Sequence, residues 1–416
     1  MNNTTTTPPN GYKNTAIGVI PDNWDVKKLG ELGDTFSGLS GKNKDDFGKG
    51  YPYIPYKNIF QNSKIDINFM DYVHIKENEK QHKVQYGDIF FTTSSETADE
   101  VGMSSVLLDE IHEMYLNSFC FGFRLKNRDA LDPLFSSYLL RGENIRKELN
   151  VLAQGSTRFN LSKSELIKLI IPIPPLPEQQ KIAEILTTWD EAITNCKKTI
   201  NTLKARNKGL AQQLLTGKKR VSGFSDKWEE TTIEKITKYF SNKNKNLINA
   251  RIYSVTNSNG FVYQSDHFSR EVAGDDLTGY KIIKNNEFAY NPARINVGSI
   301  AFFTDEIGVI SSLYVCFKTN EKVTNKFLIE WLKIDKTKHD IERYGEGGVR
   351  IYLWYDLFKK LKINLPSIQE QTAIAEVLET TDQELKNYQT KLEALQNQKK
   401  GLMQQLLTGK IRVNVK

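Results

Sequence analysis

The stretch Tyr-Asn-Pro-Ala-Arg at residues 290–294 carries an Asn-Pro pair of the kind that accepts an amino group for methyl transfer. It lacks the second proline and the aromatic residue that would complete such a site, so it is expected to be a turn at the end of a strand. Other catalytic patterns are missing altogether. There is no Gly-x-x-x-x-Gly-Lys-Ser/Thr phosphate loop and no Gly-x-Gly-x-x-Gly opening a helix after a strand. Neither a nucleophile elbow nor a Cys-x-x-Cys pair occurs. Cys120, Cys196 and Cys316 stand far apart, and the 5 histidines have no ligand spacing. No catalytic or metal-binding residue is therefore assigned, and a reduced, cytoplasmic protein is expected. So many absences in one chain favour binding or targeting over catalysis.

The 416 residues suffice for two or three domains with their own cores. With 57 Lys+Arg against 50 Asp+Glu, the formal charge of +7 suits nucleic acid as well as a mixed, solvated surface. No window approaches about 18 consecutive apolar residues, so no membrane span is expected. The polar opening, MNNTTTTPPN, has no secretory-signal pattern, and residues 1–19 read as a flexible arm.

What organises the chain is a repeat. PLPEQQKIAEIL (175–186) returns as SIQEQTAIAEVL (367–378), and KGLAQQLLTGKKRV returns as KGLMQQLLTGKIRV. Residues 155–221 match 347–413 at a constant offset of 192. A weaker echo aligns Trp24 in IPDNWDVKKLGELGDTFS with Trp228 in FSDKWEETTIEKITKYFS. The order is thus variable, constant, variable, constant, with a period far too long for a solenoid of small units.

Each constant segment carries apolar residues in alternating steps of four and three, which is a heptad seam. In the first, Ile182, Leu186, Trp189, Ile193, Cys196, Ile200, Leu203, Leu210 and Leu214 mark it, with polar Asn207 filling one step. In the second, Ile374, Leu378, Leu385, Tyr388, Leu392, Leu395, Leu402 and Leu406 do, with Thr381 and Lys399 completing the steps. Pro177 and Glu178 suit the first turn of one helix; Ser367 and Glu370 form a capping box for the other. Gly217 and Gly409, in LLTGK, suit left-handed C-terminal caps. Roughly 38 residues per helix give rods of about 55 Å. If the rods pack on each other, chain order makes them antiparallel, and full overlap sets Asn207 beside Thr381 and Trp189 beside Lys399. Pairing with a second chain is the competing arrangement, and the polar positions suit either a register device or a frayed, solvent-facing seam.

The variable segments are richer in aromatic and β-branched residues. Strand-like runs (87–94, 103–108, 287–294, 298–303) mix with helical ones (132–149, 325–341), so each reads as a compact α+β domain. The expected fold class is α+β: two globular heads, at 20–173 and 218–365, separated by a pair of long antiparallel helices, the first at 174–217 and the second, with a C-terminal tail, at 366–416, with an internal pseudo-two-fold.

PIPPLPEQQKIAEIL and LLTGKKRV, together with IPDNW, GDIFFTTSSETADEVGMSS, NEFAYNPARINVGS and the duplicated order, resemble the specificity subunits of type I restriction-modification systems across nearly the whole chain. In the second copy PSIQEQ replaces PPLPEQ and Thr381 replaces Trp189. The resemblance implies a non-catalytic DNA reader with two target-recognition domains, each for one half of a split double-stranded target. The helices would set the gap, two methyltransferase subunits would dock on the chain, and two restriction-translocation subunits would be able to join them. S-adenosylmethionine, ATP and Mg2+ would belong to those partners, with no cofactor in this chain. A structural adaptor that binds only protein, and a self-contained methyltransferase, are the alternatives.

Candidate DNA contacts follow from that implication. Arg158 in GSTR and Arg350 in GGVR occupy equivalent Gly-rich loops that suit a phosphate or base edge, and equally suit a turn with an ordinary surface arginine. Ser94, Ser95, Glu96 and Thr97 follow one strand, and Asn291, Arg294 and Asn296 the corresponding one. Lys57, Asn58 and Asn257 follow an early strand of each head and rank below them.

Overall fold

The computed structural model describes residues 7–248, 250–267, 277–346 and 352–415. The chain divides into two compact units, residues 1–196 with 391–416 and residues 197–390. The division falls inside two continuous helices, Leu176–Leu215 and Ile368–Leu406. Each unit thus combines one head with the opening half of the helix that follows it and the closing half of the other long helix. Helices and heads are not separate bodies.

In the first unit the strands Gly33–Ser37, Cys120–Leu125, Ile89–Thr92 and Ser104–Val106 lie in that order in an antiparallel sheet. In the second, Thr237–Phe240, Val315–Thr319, Phe288–Tyr290 and Ile300–Phe302 repeat the order and the sense. A further sheet in each head has one parallel pairing, Phe47–Ile54 with Tyr115–Leu116 and Ile252–Thr256 with Ile307–Ile310. The first and last strands of each head pair with each other, Asp25–Lys28 with Ile170–Ile173 and Glu229–Thr232 with Lys362–Leu365. The chain therefore enters and leaves each head at the root of its long helix.

All four strand-like runs contain strands, but each expected head helix is two. Pro133–Leu139 and Glu143–Leu152 are separated at Gly142, and Asn325–Lys333 and Asp335–Tyr344 at Ile334, where both dividing residues are extended (ψ 147° and 149°). A Cβ on Gly142 would stand 3.0 Å from Leu139 O and 3.2 Å from Leu407 Cδ1, so the break is closely packed. The arm expected over residues 1–19 also needs correction. Tyr12–Thr15 pairs with Gly18–Pro21 as a hairpin, and Tyr12 Oη donates to Gly409 O at 3.0 Å.

Within each unit the helix halves run antiparallel. In the first, Lys399 Nζ donates to Asp190 Oδ1 at 2.5 Å, and Arg412, just past its helix, pairs with Glu178 at 2.7 Å. In the second, Asn207 Nδ2 donates to Thr381 O at 2.8 Å, and Arg206 pairs with Glu384 at 2.5 Å. Ile182, Leu186, Ile200, Leu203, Leu214, Ile374, Leu378 and Leu406 are buried. Trp189, Ile193, Leu210, Thr381, Leu385, Tyr388, Leu392, Leu395, Lys399 and Leu402 are half-buried. Asn207, at 8% exposure, is paired rather than frayed.

The repeated Glu-Gln explains the junctions. Glu178 and Glu370 are almost fully buried at 2% and 1% exposure. Glu178 accepts from Trp24 Nε1 at 3.0 Å and from Arg412 at 2.7 and 2.8 Å. Glu370 accepts from Trp228 Nε1 at 3.1 Å and from Arg220 at 2.6 Å twice. The expected capping box is therefore only half made: Ser367 Oγ accepts from Glu370 N at 3.3 Å, while the Glu370 carboxylate turns to Arg220 and Trp228. Each neighbouring glutamine ties down a head. Gln179 Oε1 accepts from Asp132 N at 2.8 Å, and Gln371 Oε1 from Thr324 N at 2.8 Å; Asp132 and Thr324 are the N-caps of Pro133–Leu139 and Asn325–Lys333. Gly217 and Gly409 take φ of +71° and +70°, and a Cβ on Gly409 would lie 2.4 Å from Pro21 Cδ.

Glu178→Ala leaves Trp24 Nε1 buried without an acceptor and Arg412 without its carboxylate. It is expected to cost roughly 2–4 kcal/mol, and Glu178→Gln, which keeps an acceptor, less. Hydrogen exchange should show lost protection in residues 12–196 and none in 225–365. Equal loss in both regions, or none, would refute the clamp.

Candidate nucleic-acid interface

In the first head Ser94, Ser95, Glu96 and Arg158 line one cleft of about 700 Å³, whereas Thr97, Lys57 and Asn58 are not part of its lining. Phe159–Asn160 pairs antiparallel with Ser94–Ser95, so the loop bearing Arg158 and the loop bearing Ser94 to Thr97 lie side by side. Arg158 is exposed and its Nη2 donates to Ser94 Oγ at 3.1 Å. Gly155 permits the tight loop before it, with φ +127° and a would-be Cβ 2.1 Å from Arg158 O. Glu100 Oε2 accepts from Thr97 Oγ1 at 2.9 Å and Ser95 Oγ at 3.3 Å, and Glu96 and Thr97 are exposed.

Three aromatic residues that the sequence reading missed shape the same cleft. Tyr56 and Phe60 stack at 5.9 Å, Tyr56 Oη donates to Ser94 O at 2.9 Å, and Phe119 is 62% exposed. Burial raises the Tyr56 phenol above its ordinary pKa, so it stays a neutral donor. Aromatic residues in a domain of this composition read as core, and only an exposed one such as Phe119 betrays another use.

Two arginines hold the loop from behind. Arg146 donates to the carbonyls of Gly102, Asp99 and Val101 at 2.8, 2.9 and 2.6 Å. Arg141 donates to Ser104 O at 2.7 Å and to the carbonyls of Ile59, Phe60 and Asn62. Burial lowers the pKa of both guanidinium groups, and the carbonyl contacts take up their donors. These cations serve the fold rather than a ligand.

The second head places its residues on the same frame. Leu161 N donates to Thr93 O at 2.8 Å and Leu353 N to Pro292 O at 3.0 Å, so the two loops correspond and Ser95 is matched by Arg294. The Tyr-Asn-Pro-Ala-Arg stretch is a strand end followed by a turn: Asn291 Oδ1 accepts from Ala293 N at 3.0 Å. Arg294 is exposed and Asn296 half-buried, in the turn closed by Gly298 at φ +95°. Exposed Asn257 lies next to that turn, its carbonyl 3.5 Å from where a Cβ on Gly298 would stand. Arg350 lies outside the described residues. Just beyond it, the exposed rings of Tyr352 and Trp354 stack at 6.3 Å, another feature the sequence did not single out.

Of the lower-ranked candidates in the first head, Lys57 is exposed but Asn58 is not a reader. It is fully buried; its Nδ2 donates to Asp66 O and Phe69 O, and its Oδ1 accepts from Asp66 N and Asn62 Nδ2. Every polar position of that amide is used inside the head. Among the described residues, no group of three or more His, Cys, Asp or Glu side chains is placed to hold a metal ion, and no helix is long and apolar enough to cross a membrane.

Comparison with known proteins agrees with this architecture. The family model for the type I restriction modification DNA specificity domain matches twice, at residues 21–205 and 225–397. A Methanocaldococcus jannaschii protein, provisionally assigned as the specificity subunit of the type I restriction enzyme MjaX, is 28% identical over 423 residues, covering 97% of each chain. Solved structures share the fold: the HsdS subunit from Thermoanaerobacter tengcongensis has a TM-score of 0.56 at 14% identity, covering 94% of this chain and 98% of that one. The type I restriction-modification S subunit from M. genitalium has a TM-score of 0.51 at 17% identity, covering 92% and 96%. The protein belongs to the type I restriction modification DNA specificity family and is a specificity subunit built from two such domains.

Proposed function

We propose that each head reads one half of a bipartite double-stranded DNA target, while the helix pair sets the gap between the halves and docks two methyltransferase subunits. The observation that carries this reading is one sheet frame bearing differently charged loops. Where the first head places Ser95 and Glu96 after its strand, the second places Arg294. A conserved frame with diverged loops suits two recognition sites of different specificity. The chain itself is non-catalytic and cytoplasmic; S-adenosylmethionine, ATP and Mg2+ act in partner subunits, and two restriction-translocation subunits join the complex when restriction is required. The internal repeat suits two copies of each partner on one copy of this chain.

Arg158→Ala in the assembled methyltransferase complex is expected to weaken DNA binding and to reduce the slope of log affinity against log salt by about one, if Arg158 contacts a phosphate. Fluorescence anisotropy across a salt series measures both quantities. An unchanged affinity at every salt concentration would remove this arginine from the interface.

Exchanging residues 224–363 for the corresponding segment of a subunit with a different target should change only one half of the methylated motif. Genome-wide mapping of methylated bases reads this out directly. A motif altered in both halves would contradict the division of labour.

A further inference from the structure

A carboxylate beside a DNA groove is repelled by the phosphates on both sides, and is tolerated at close range where it meets a hydrogen-bond donor. The first head carries two such groups in the cleft of Arg158, and they differ in kind. Glu100 is engaged internally, accepting from the hydroxyls of Ser95 and Thr97. Glu96 lines the cleft, is exposed and, among the described residues, has no hydrogen-bond or ion-pair partner.

The loop is held close to the cleft. Three carbonyls at residues 99–102 accept from Arg146, and Asn150 Nδ2 donates to Asp99 Oδ1 at 3.0 Å. On the major-groove edge of DNA the donors are adenine N6 and cytosine N4. Phe119 lines the same cleft and is 62% exposed, an apolar surface of the type that covers a thymine methyl. An A·T pair presents the amine and the methyl together, whereas a G·C pair presents the amine without the methyl.

From this combination we infer that the first head reads an A·T pair in the major groove, Glu96 accepting from adenine N6 and Phe119 covering the thymine methyl. This rests on the reading of the first head as a DNA reader, and it adds the base pair and the residues that choose it.

The test uses the full chain assembled with its methyltransferase, after the wild-type motif has been mapped. Glu96→Ala, Phe119→Ala and Arg158→Ala complexes are titrated with the cognate duplex, with duplexes changed at each first-half position, and with duplexes carrying deoxyuridine for thymine. Glu96→Ala is expected to lose about tenfold discrimination at one A·T position of the first half. It should also bind non-cognate DNA several-fold more tightly, because a negative charge has gone; a merely structural role would weaken both. Wild type should lose several-fold affinity when that thymine becomes deoxyuridine, and Phe119→Ala should not respond to the change. Unchanged discrimination in Glu96→Ala, or a loss at a G·C position, overturns the inference. If Arg158→Ala weakens binding while the other two variants behave as wild type, the inference fails and the first head remains a DNA reader. If none of the three alters binding, with melting curves showing all of them folded, the reading of this head fails as well.

Discussion

A carboxylate buried at the first turn of each long helix is the constraint on which the rest of the structure depends. Glu178 and Glu370 each gather a tryptophan from the start of their own head and an arginine from the segment beyond the other long helix. An isolated buried carboxylate is costly, so these partners stabilise it only when head, helix and tail are all in place. That dependence makes assembly of each unit cooperative. It also gives the end of the chain a structural duty: Arg412 closes the first unit as Arg220 closes the second. The adjacent glutamine extends the junction to the helix caps at Asp132 and Thr324, so one dipeptide fixes both the tail and the head relative to the helix within its unit.

Much of this frame is legible in the sequence because it is periodic or duplicated. The heptad steps identify the seam residues, and the offset between copies aligns Glu178 with Glu370 and Arg220 with Arg412. What the offset conceals is who meets whom. Glu178 suits a helix first turn in its own right, and its partners stand 154 and 234 positions away. Local chemistry is similarly misleading at Ser367 and Glu370, where a plausible capping box gives way to a stronger ion pair. The split head helices have a different cause. The helical pattern of each run continues through Gly142 and Ile334, yet both residues are extended, and Gly142 is closely packed against Leu139 and Leu407.

The recognition loops were legible as loops, and only partly as sites. Arg158 and Ser94 to Thr97 are far apart in sequence but come together because the two-residue strands Ser94–Ser95 and Phe159–Asn160 pair. The aromatic part of the cleft had no sequence signal, since Tyr56 and Phe60 are indistinguishable by type from the rings of the core. Asn58 is the converse case: a polar residue in an apparent loop that serves as a buried cross-brace. Type alone separates readers from braces poorly. The number of internal hydrogen bonds separates them well, because a side chain whose donors and acceptors are all used has nothing left for a ligand.

Asn207 and Lys399 are equivalent by the repeat, yet their chemistry differs. Asn207 bonds the backbone carbonyl of Thr381 in one unit, and Lys399 bonds Asp190 in the other. The second arrangement draws in the head as well, because Tyr138 Oη donates to Asp190 Oδ2 at 2.7 Å and accepts from Lys64 Nζ at 2.8 Å. Burial lowers the Lys64 pKa, and the Asp190 carboxylate opposes that shift. Sliding either helix by one heptad would set Asn207 and Lys399 against apolar seam residues. Each group so orphaned costs about 1–3 kcal/mol. An apolar seam alone would tolerate such a slip; two polar positions with different partners do not, and each unit therefore specifies the register of its own helix pair.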